Sequence, residues 1–440
     1  MVGSGQPLLA CDMMAHSGTL LEPRKVAEEV SAMITQLVNL MVVWLKSQGA
    51  LTETVTTATS RRHTRAAPAS VVQHQGPVPH ARLDRSRNQF PPSPMVLSIL
   101  NPFNRQRDQF EPTPFVALLV QAPVKLLLYH AYYFITYLRS APKPTQPPIR
   151  VVCISDTHGH IPEDVPPGDL LIHAGDMTNV GSVAEIQKQV DWLASLPHKE
   201  VAVISGNHDI YLDPRSRTSL SEEQRRGSVD WKRVHYLQHR RLSLTVEVEP
   251  RSTEALSSRT HLLAEGLTRR RIRIYGAPQI PSFDETSVNA FQYRRGQDAW
   301  SETVPEDTDI LITHTPPKYH LDLSLPKGLG CEHLLAEARR VKPTLHVFGH
   351  IHWGAGQTVV WWDKAHDAYN QGMAVQSKWT HGLLNPRLWW SIVRVMYRGV
   401  REVLWDRVWG GQTSNTIMVN AAQMYGNTGK LGNMVQVVDI

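Results

Sequence analysis

At 440 residues, with 41% hydrophobic and 20% charged residues, the chain has the composition of a globular protein and room for one large domain plus accessory segments. Its formal net charge is +6, and the whole excess lies in residues 1–147, which hold 14 Lys/Arg against 8 Asp/Glu, while the remainder balances at 32 of each. That balance speaks against a nucleic-acid-binding surface on the larger part, and three widely spaced cysteines (Cys11, Cys153 and Cys331) exclude a disulfide framework and favour a reducing compartment.

The N-terminus lacks a basic start followed by a long apolar core, so it is a poor secretory signal. The pattern predicts an N-terminal extension over 1–147 in three pieces. Residues 23–46 place Val26, Val30, Met33, Leu37, Met41 and Leu45 on one stripe of an amphipathic helix. Residues 52–94 are rich in Thr, Ser, Arg, His and Pro without a sustained period, which predicts disorder. Residues 115–138 carry Lys125 as their one charge and read as an apolar helix. As one helix they would extend about 36 Å against a hydrocarbon core of about 30 Å. Lys125 and Pro123 disfavour a simple span, so three readings stand side by side: a transmembrane span, a helix or hairpin lying in the membrane interface, and packing against the protein's own surface.

From residue 148 onward, short apolar runs end repeatedly in polar punctuation. The strand-like runs near 150–154, 170–173, 201–205, 309–313 and 344–348 lead into Asp156-Thr157-His158, Gly175-Asp176, Gly206-Asn207-His208-Asp209, Thr313-His314 and Gly349-His350-Ile351-His352. Further strands are expected near 272–275 and 416–420, with helical patterns over 183–196 and 330–340, which together make an α/β arrangement. Polar residues that follow such strands sit on loops at the sheet edge, where the sites of open sheets lie. Carboxylate, amide oxygen and imidazole suit Mn, Fe or Zn, and one carboxylate can bridge two ions about 3.5–4 Å apart. His160, His173, His198, His333 and His346 read as ordinary surface or core histidines.

The order of these motifs resembles the calcineurin-like metallophosphoesterase superfamily. The segments Val152 to His158, Trp192 to His198, Ile274 to Pro278 and Leu345 to His352 are similar to its metallophosphoesterase-domain-containing branch, which is similar to small cyclic-nucleotide phosphodiesterases. The resemblance implies a four-layer sandwich of two mixed β-sheets flanked by helices, spanning 148–440. It also implies that Asp156, His158, Asp176 and His352 hold a first metal ion, and that Asp176 bridges to a second completed by Asn207, His314 and His350. His208 would face the scissile phosphate as acid or charge stabiliser, with Asp209 orienting it. The implied reaction is hydrolysis of a phosphodiester, cyclic nucleotides among the candidates, by a hydroxide bridging the two ions. Phosphomonoester or phosphoprotein hydrolysis, and low-turnover nucleotide binding, are the alternatives. A phosphate-ester small molecule is the expected substrate, with no nucleic-acid partner.

The pattern of the resemblance is interrupted by an insertion over about 358–412 that holds seven of the twelve tryptophans. Within it Trp389, Ile392, Val393, Met396, Val400, Val403 and Leu404 follow helical spacing, with Arg394, Arg398 and Arg401 on a separate stripe. Such a helix suits a membrane interface, a packed lid or a partner's groove. Cytoplasmic, membrane-associated placement is the expectation.

Overall fold

The computed structural model describes residues 110–248, 268–283, 288–376 and 382–440. The stretches expected as an amphipathic helix (23–46) and as disorder (52–94) lie outside them.

Two sheets form the centre. The first runs in the order β13-β1-β2-β3-β4, with β1 at Arg150–Ile154, β2 at Leu170–His173, β3 at Glu200–Val203, β4 at Val234–Tyr236 and β13 at Gln436–Asp439. Its strands β1 to β4 are parallel and β13 is antiparallel to β1. The second runs β11-β12-β10-β9-β6-β5, with β5 at Arg240–Val248, β6 at Thr268–Ala277, β9 at Ile310–Thr313, β10 at Leu345–Phe348, β11 at Gly356–Trp361 and β12 at Asn415–Asn420. Here β6, β9, β10 and β12 are parallel and the two edge strands antiparallel, while β7 (Ile280–Pro281) and β8 (Gln292–Tyr293) pair as a separate two-stranded sheet.

Both faces of the central parallel strands are covered, which is why they read as continuous apolar runs rather than alternating ones. Val151, Cys153, Ile172, Ile274, Ile312 and Val347 meet between the sheets. On the outer face of the first sheet, Val152, Ile154 and Leu171 pack under Ile186, Val190 and Leu193 of α3 (Val183–Ser195). α3 opens on a capping box of Ser182 and Glu185. On the outer face of the second sheet, Leu311 meets Leu334, and Phe348 and Met418 meet Leu335 and Ala338, of α4 (Glu332–Val341). Helix, sheet, sheet and helix therefore stack as the expected four-layer α/β sandwich.

No strand is expected between 205 and 272, yet Arg240–Val248 forms a nine-residue strand, β5, paired with β6 from Arg240↔Gly276 to Val248↔Thr268. Leu242, Leu244, Val246 and Val248 alternate with Ser243, Thr245 and Glu247, so a period-two signal was present. Arginine at 240 and 241 and the length of the surrounding charged segment masked it.

The apolar run 115–138 is two helices, not one: α1 at Phe115–Gln121 and α2 at Pro123–Tyr137. Pro123 has no N–H to continue the ladder and instead takes the first position of α2. Lys125, the charge that made a span costly, donates from Nζ to the carbonyls of Met373 (2.7 Å) and Pro326 (3.4 Å). Among the described residues no helix is long and apolar enough to cross a membrane.

α2 packs on the two insertion helices, α5 (Lys364–Ala374) and α6 (Pro386–Arg407). α6 buries Leu388, Ser391, Val395, Gly399 and Glu402, a stripe different from the Trp and aliphatic one picked out by hydropathy. Small residues explain the choice. A Cβ at Gly399 would collide with Ile135 of α2, and one at Gly372 of α5 with Leu128 and Ser391, so the helices approach as closely as only these residues allow. Tyr132 stacks on Tyr369 with ring centroids 4.1 Å apart. At the far end of α2, Arg139 is 5% exposed and pairs with Asp363 (2.6 Å) and Asp406, with its guanidinium over the Trp361 ring. Arg139→Ala would leave two nearly buried carboxylates without their cation, which is expected to cost about 3–5 kcal/mol. Chemical denaturation measures it, and a loss below about 1 kcal/mol would place this pair among ordinary exposed ones.

Candidate active site

All five parallel strands that carry the polar punctuation deliver it at their C-terminal ends: β1, β2 and β3 from the first sheet, β9 and β10 from the second. Stacking the sheets brings the five loops together. Asp156, His158 and His352 form one cluster able to hold a metal ion, His158, Asp176 and His208 a second, and Asp176, His314 and His350 a third. Asp176 belongs to two of them, and Asn207 joins through Oδ1, 3.1 Å from His314 Nε2.

The backbone is bent to achieve this. Asp156 (φ 53°), His158 (φ 46°), Asp176 (φ 53°) and His350 (φ 68°) all adopt the left-handed region, which L-residues other than Asn and Asp enter seldom and at a cost of order 1–3 kcal/mol. The surroundings over-determine it: His158 N–H donates to Asp176 O (3.0 Å), and Asp156 N–H to Gly175 O (2.9 Å). Two glycines make the carboxylates fit. A Cβ on Gly206 would occupy the place of the Asp176 carboxylate, and one on Gly349 that of Asp156.

The imidazoles are held from behind. His314 Nδ1 lies 2.9 Å from Ala174 O, His352 Nδ1 2.8 Å from Gly426 O, and His208 Nδ1 2.9 Å from Asn179 O. A carbonyl accepts, so Nδ1 carries the proton in each and Nε2 is left for the centre, the arrangement that metal-ligating histidines use. His158 Nε2 and His350 Nε2 are buried and have no hydrogen-bond partner. Buried imidazole nitrogens without partners beside two carboxylates are what a cation would satisfy, and the donor set fits an ion of intermediate hardness.

The electrostatics agree. Despite burial, which raises carboxyl values, the neighbouring histidines hold Asp156 and Asp176 well below the ordinary range. Burial would lower His314, but Asp176 and Asp156 raise it to about 9, whereas His350, mainly by burial, falls to about 3. His314 is thus the atom on which a proton competes with a metal. In chelator-treated protein at neutral pH, Mn uptake is expected to release a proton, with apparent affinity rising as pH approaches 9 and levelling above it. An indicator titration in weak buffer reads this directly, and uptake without proton release near pH 7 would show His314 to be neutral there.

Asp209 does not touch His208, contrary to the orienting role expected for it. Its carboxylate accepts from the N–H groups of Gly206 (2.8 Å), Thr178 (3.1 Å) and Met177 (3.3 Å) and from the Thr178 hydroxyl (2.7 Å), so its lone pairs are already engaged. Burial and the nearby Asp176 push it to about 6 against those donors. It ties the Asp176 loop to the Asn207 loop, and the Asn179 carbonyl holds His208. That partner was not legible in the sequence, because a backbone carbonyl has no residue signature.

The five histidines read as ordinary stay outside the clusters. His173 is held by Thr157 and the Gly175 N–H, His346 Nε2 by Thr313, His198 Nε2 by Pro166 O and His333 by Gly296 O; Nδ1 of His346 and of His198 is buried without a hydrogen-bond partner, away from the cluster carboxylates, and His160 is exposed. Three aromatic residues that sequence reasoning missed line the 270 Å³ pocket beside the clusters: Phe110, Phe283 from the segment after β6, and Trp353. Phe283 stacks on His350 at 5.8 Å and Phe110 meets both at their edges. Neither lies in a periodic run, so hydropathy carried no signal for them.

A family model for calcineurin-like phosphoesterases matches residues 149–354. The chain is 37% identical over 287 residues to the probable rhamnogalacturonate lyase C of Emericella nidulans, a match covering 64% of this chain and 24% of that protein. It is 38% identical over 225 residues to metallophosphoesterase domain-containing protein 1 of Homo sapiens, covering 49% of this chain and 64% of that one. It is also 35% identical over 224 residues to a UPF0046 protein of Caenorhabditis elegans, covering 48% and 71%. The chain thus spans under two thirds of the first two relatives' length and more than two thirds of the third's.

Proposed function

The chain belongs to the calcineurin-like phosphoesterase family, and from that premise we propose that it is a dimetal phosphodiesterase working at a membrane surface. The observation that carries the catalytic part is the convergence of seven ligand-type side chains from five loops, with two buried imidazole nitrogens turned toward no protein partner. Asp156, His158, Asp176 and His352 would hold one ion, and Asp176, Asn207, His314 and His350 the other. When bound, such ions, which we take to be Mn, Fe or Zn, neutralise the charge that builds on the phosphoryl oxygens and activate the attacking water.

The chain's own residues do the rest. A water oxygen adds to phosphorus as the bond from phosphorus to the ester oxygen breaks; that oxygen takes a proton from Nε2 of His208 when both ring nitrogens carry one, the water's released proton passes to solvent, and His208 regains its own from there. His208 is the one histidine of the middle cluster whose backing carbonyl comes from a half-open loop, and its ring lies 4.8 Å from that of His158. Protonating the leaving oxygen matters most for the poor leaving groups of alkyl diesters. Phe110 and Phe283 give the pocket an apolar wall suited to a flat organic group on the ester, which supports a diester, including a cyclic nucleotide, over a bare monoester. The test is Mn-dependent hydrolysis of bis(p-nitrophenyl) phosphate against the monoester by the full chain. Diester preference supports this reading, monoester preference moves it to a phosphatase, and metal uptake without turnover of either would replace it with ligand holding.

The membrane part rests on α6. Trp389, Val393, Tyr397, Val400 and Leu404 repeat at helical spacing and are all exposed, as is the neighbouring Trp390, with Arg394, Arg398 and Arg401 beside them. An exposed apolar stripe flanked by arginines matches an interfacial helix on anionic lipid. We read residues 148–440 as the enzyme, the insertion as its membrane-facing side, and the cytoplasm as its compartment. Trp390→Ser/Tyr397→Ser is expected to reduce co-flotation with anionic vesicles while leaving diester turnover in solution unchanged. Equal flotation would remove α6 from this role.

A further inference from the structure

A second and larger cavity, of about 1160 Å³, shares Phe283 with the pocket at the candidate metal clusters. Its charge is lopsided. Lys125, Arg295, Lys318 and Lys327 line it, and Glu332 is the one carboxylate among its described lining residues. Glu332 is already spent on Lys318, at 3.1 Å. Lys125 binds two backbone carbonyls, and Lys327 is exposed with no ion pair among the described residues. Arg295 reaches the carbonyls of Ser282 and Leu329, but its Nη2 is buried without a partner. Burial, with Lys318 nearby, holds Lys125 below its ordinary value, and burial lowers Arg295 against the raising effect of Glu332.

Apart from Gln121, Gln376 and Tyr319, the remaining side chains of the lining are apolar, and several come from the helices outside the sandwich. Val124 lies at the start of α2, Met373 at the end of α5 and Leu388 at the start of α6. Leu119 and Val120 of α1, just before the cavity residues Gln121 and Ala122, are exposed, as are Leu383 and Leu384 before α6. The cavity therefore combines four cations, of which Arg295 lies against Phe283, with an apolar border continuous with exposed aliphatic residues. A purely polar anion would leave that border unused, and a neutral lipid would leave Lys327 and the buried Arg295 Nη2 without a partner.

We propose that this cavity is a binding site for an anionic phospholipid, with the headgroup phosphate among Lys125, Arg295, Lys318 and Lys327 and the acyl chains along the apolar border formed by α1 and the start of α6. It takes its lipid from the membrane surface proposed above and so rests on that reading. Phe283 is the partition shared with the catalytic pocket: its ring stacks on His350, and the Arg295 guanidinium lies 3.8 Å from its centroid. A lipid phosphate held by Arg295 thus sits one aromatic ring away from the candidate metal clusters.

The test uses a monomeric lipid, so that it stays separate from vesicle attachment. Dihexanoyl phosphatidate, below its micelle concentration, is titrated into the full chain and into Lys318→Gln/Lys327→Gln, with glycerol 3-phosphate as the tail-less comparison. One basic residue at an anionic lipid surface is worth about fivefold in binding, so the pair is expected to weaken phosphatidate about 25-fold. Turnover of the soluble chromogenic diester should be unchanged in that variant, which shows that it folds. Glycerol 3-phosphate should bind more weakly than the lipid. No saturable phosphatidate binding, or binding indifferent to the two lysines, overturns the proposal. So does equal affinity for glycerol 3-phosphate, which would make free phosphate esters the ligand, and so does binding lost in Asp176→Asn but kept in the lysine variant, which would put the lipid at the metal clusters. Failure of the vesicle experiment alone, with monomer binding intact, would count against the α6 surface and not against this cavity.

Discussion

Asp176→Asn is expected to abolish phosphoester hydrolysis, by more than about 10³-fold, with the fold intact. The carboxylate is reached from two of the three clusters, and Oδ2 lies 3.3 Å from His314 Nε2 and 3.8 Å from His158 Nε2. Its other oxygen accepts the His208 N–H at 2.7 Å, a bond that an amide oxygen can still accept. The substitution therefore removes a negative charge while keeping the shape and the loop contact. One electrostatic contact to a transition state is worth about 10²–10³ in rate, and this residue would support two ions at once. Metal content by elemental analysis should fall with activity, and the denaturation midpoint should fall as well, since His314 loses the carboxylate it pairs with. Full activity in this variant would mean that the clusters are not the reaction centre.

His208→Ala is expected to separate turnover from metal content. The general acid contributes about 10²–10⁴ in rate, so kcat for an alkyl diester should drop by that order. The p-nitrophenyl diester, whose leaving group needs little protonation, should lose far less. His208 lies in one cluster only, with His158 and Asp176, and those two each belong to another set without it, so both ions should remain. Loss of the metals would make His208 a ligand, and equal loss on both diesters would make it a charge stabiliser of the phosphoryl group rather than a proton donor. The same comparison bears on Asp209. Asp209→Asn should lower activity by loosening the Asp176 and Asn207 loops, not by freeing His208, because the four donors it binds belong to Gly206, Met177 and Thr178.

The candidate ligands were legible because each is chemically distinct and follows a strand whose apolar run is unmistakable. Asp156, Asp176, Asn207, His314 and His350 could be placed at a common sheet edge from strand order alone. What holds them was not legible. Backing carbonyls at Ala174, Asn179 and Gly426 are contributed by residues of three unrelated types, and Phe110 and Phe283 arrive from irregular segments. β5 was missed although its alternation was readable, since a strand inside a long charged stretch competes with the reading of the stretch as loop.

The helices outside the sandwich show where sequence reasoning ends. Local chemistry determined that Pro123 would interrupt the apolar run, that the 386–407 stretch would be helical, and that Trp and Arg would segregate on it. It did not determine which stripe would be buried. Hydropathy favours the one with Trp389, Val393 and Val400, but the structure buries Leu388, Ser391, Val395, Gly399 and Glu402 instead. The reason is steric and lies in another helix: Ile135 fills the space a Cβ at Gly399 would need, and only a small-residue stripe lets α2 and α6 come that close. Arg139 is the same lesson in charge. By sequence it is a basic residue flanking an apolar run, and only the approach of Asp363 and Asp406, more than two hundred residues away, makes it a buried ion-pair centre. Side-chain identity and period are local quantities that the chain states outright, while the partner of each face is set by distant residues that meet only once the layers are stacked.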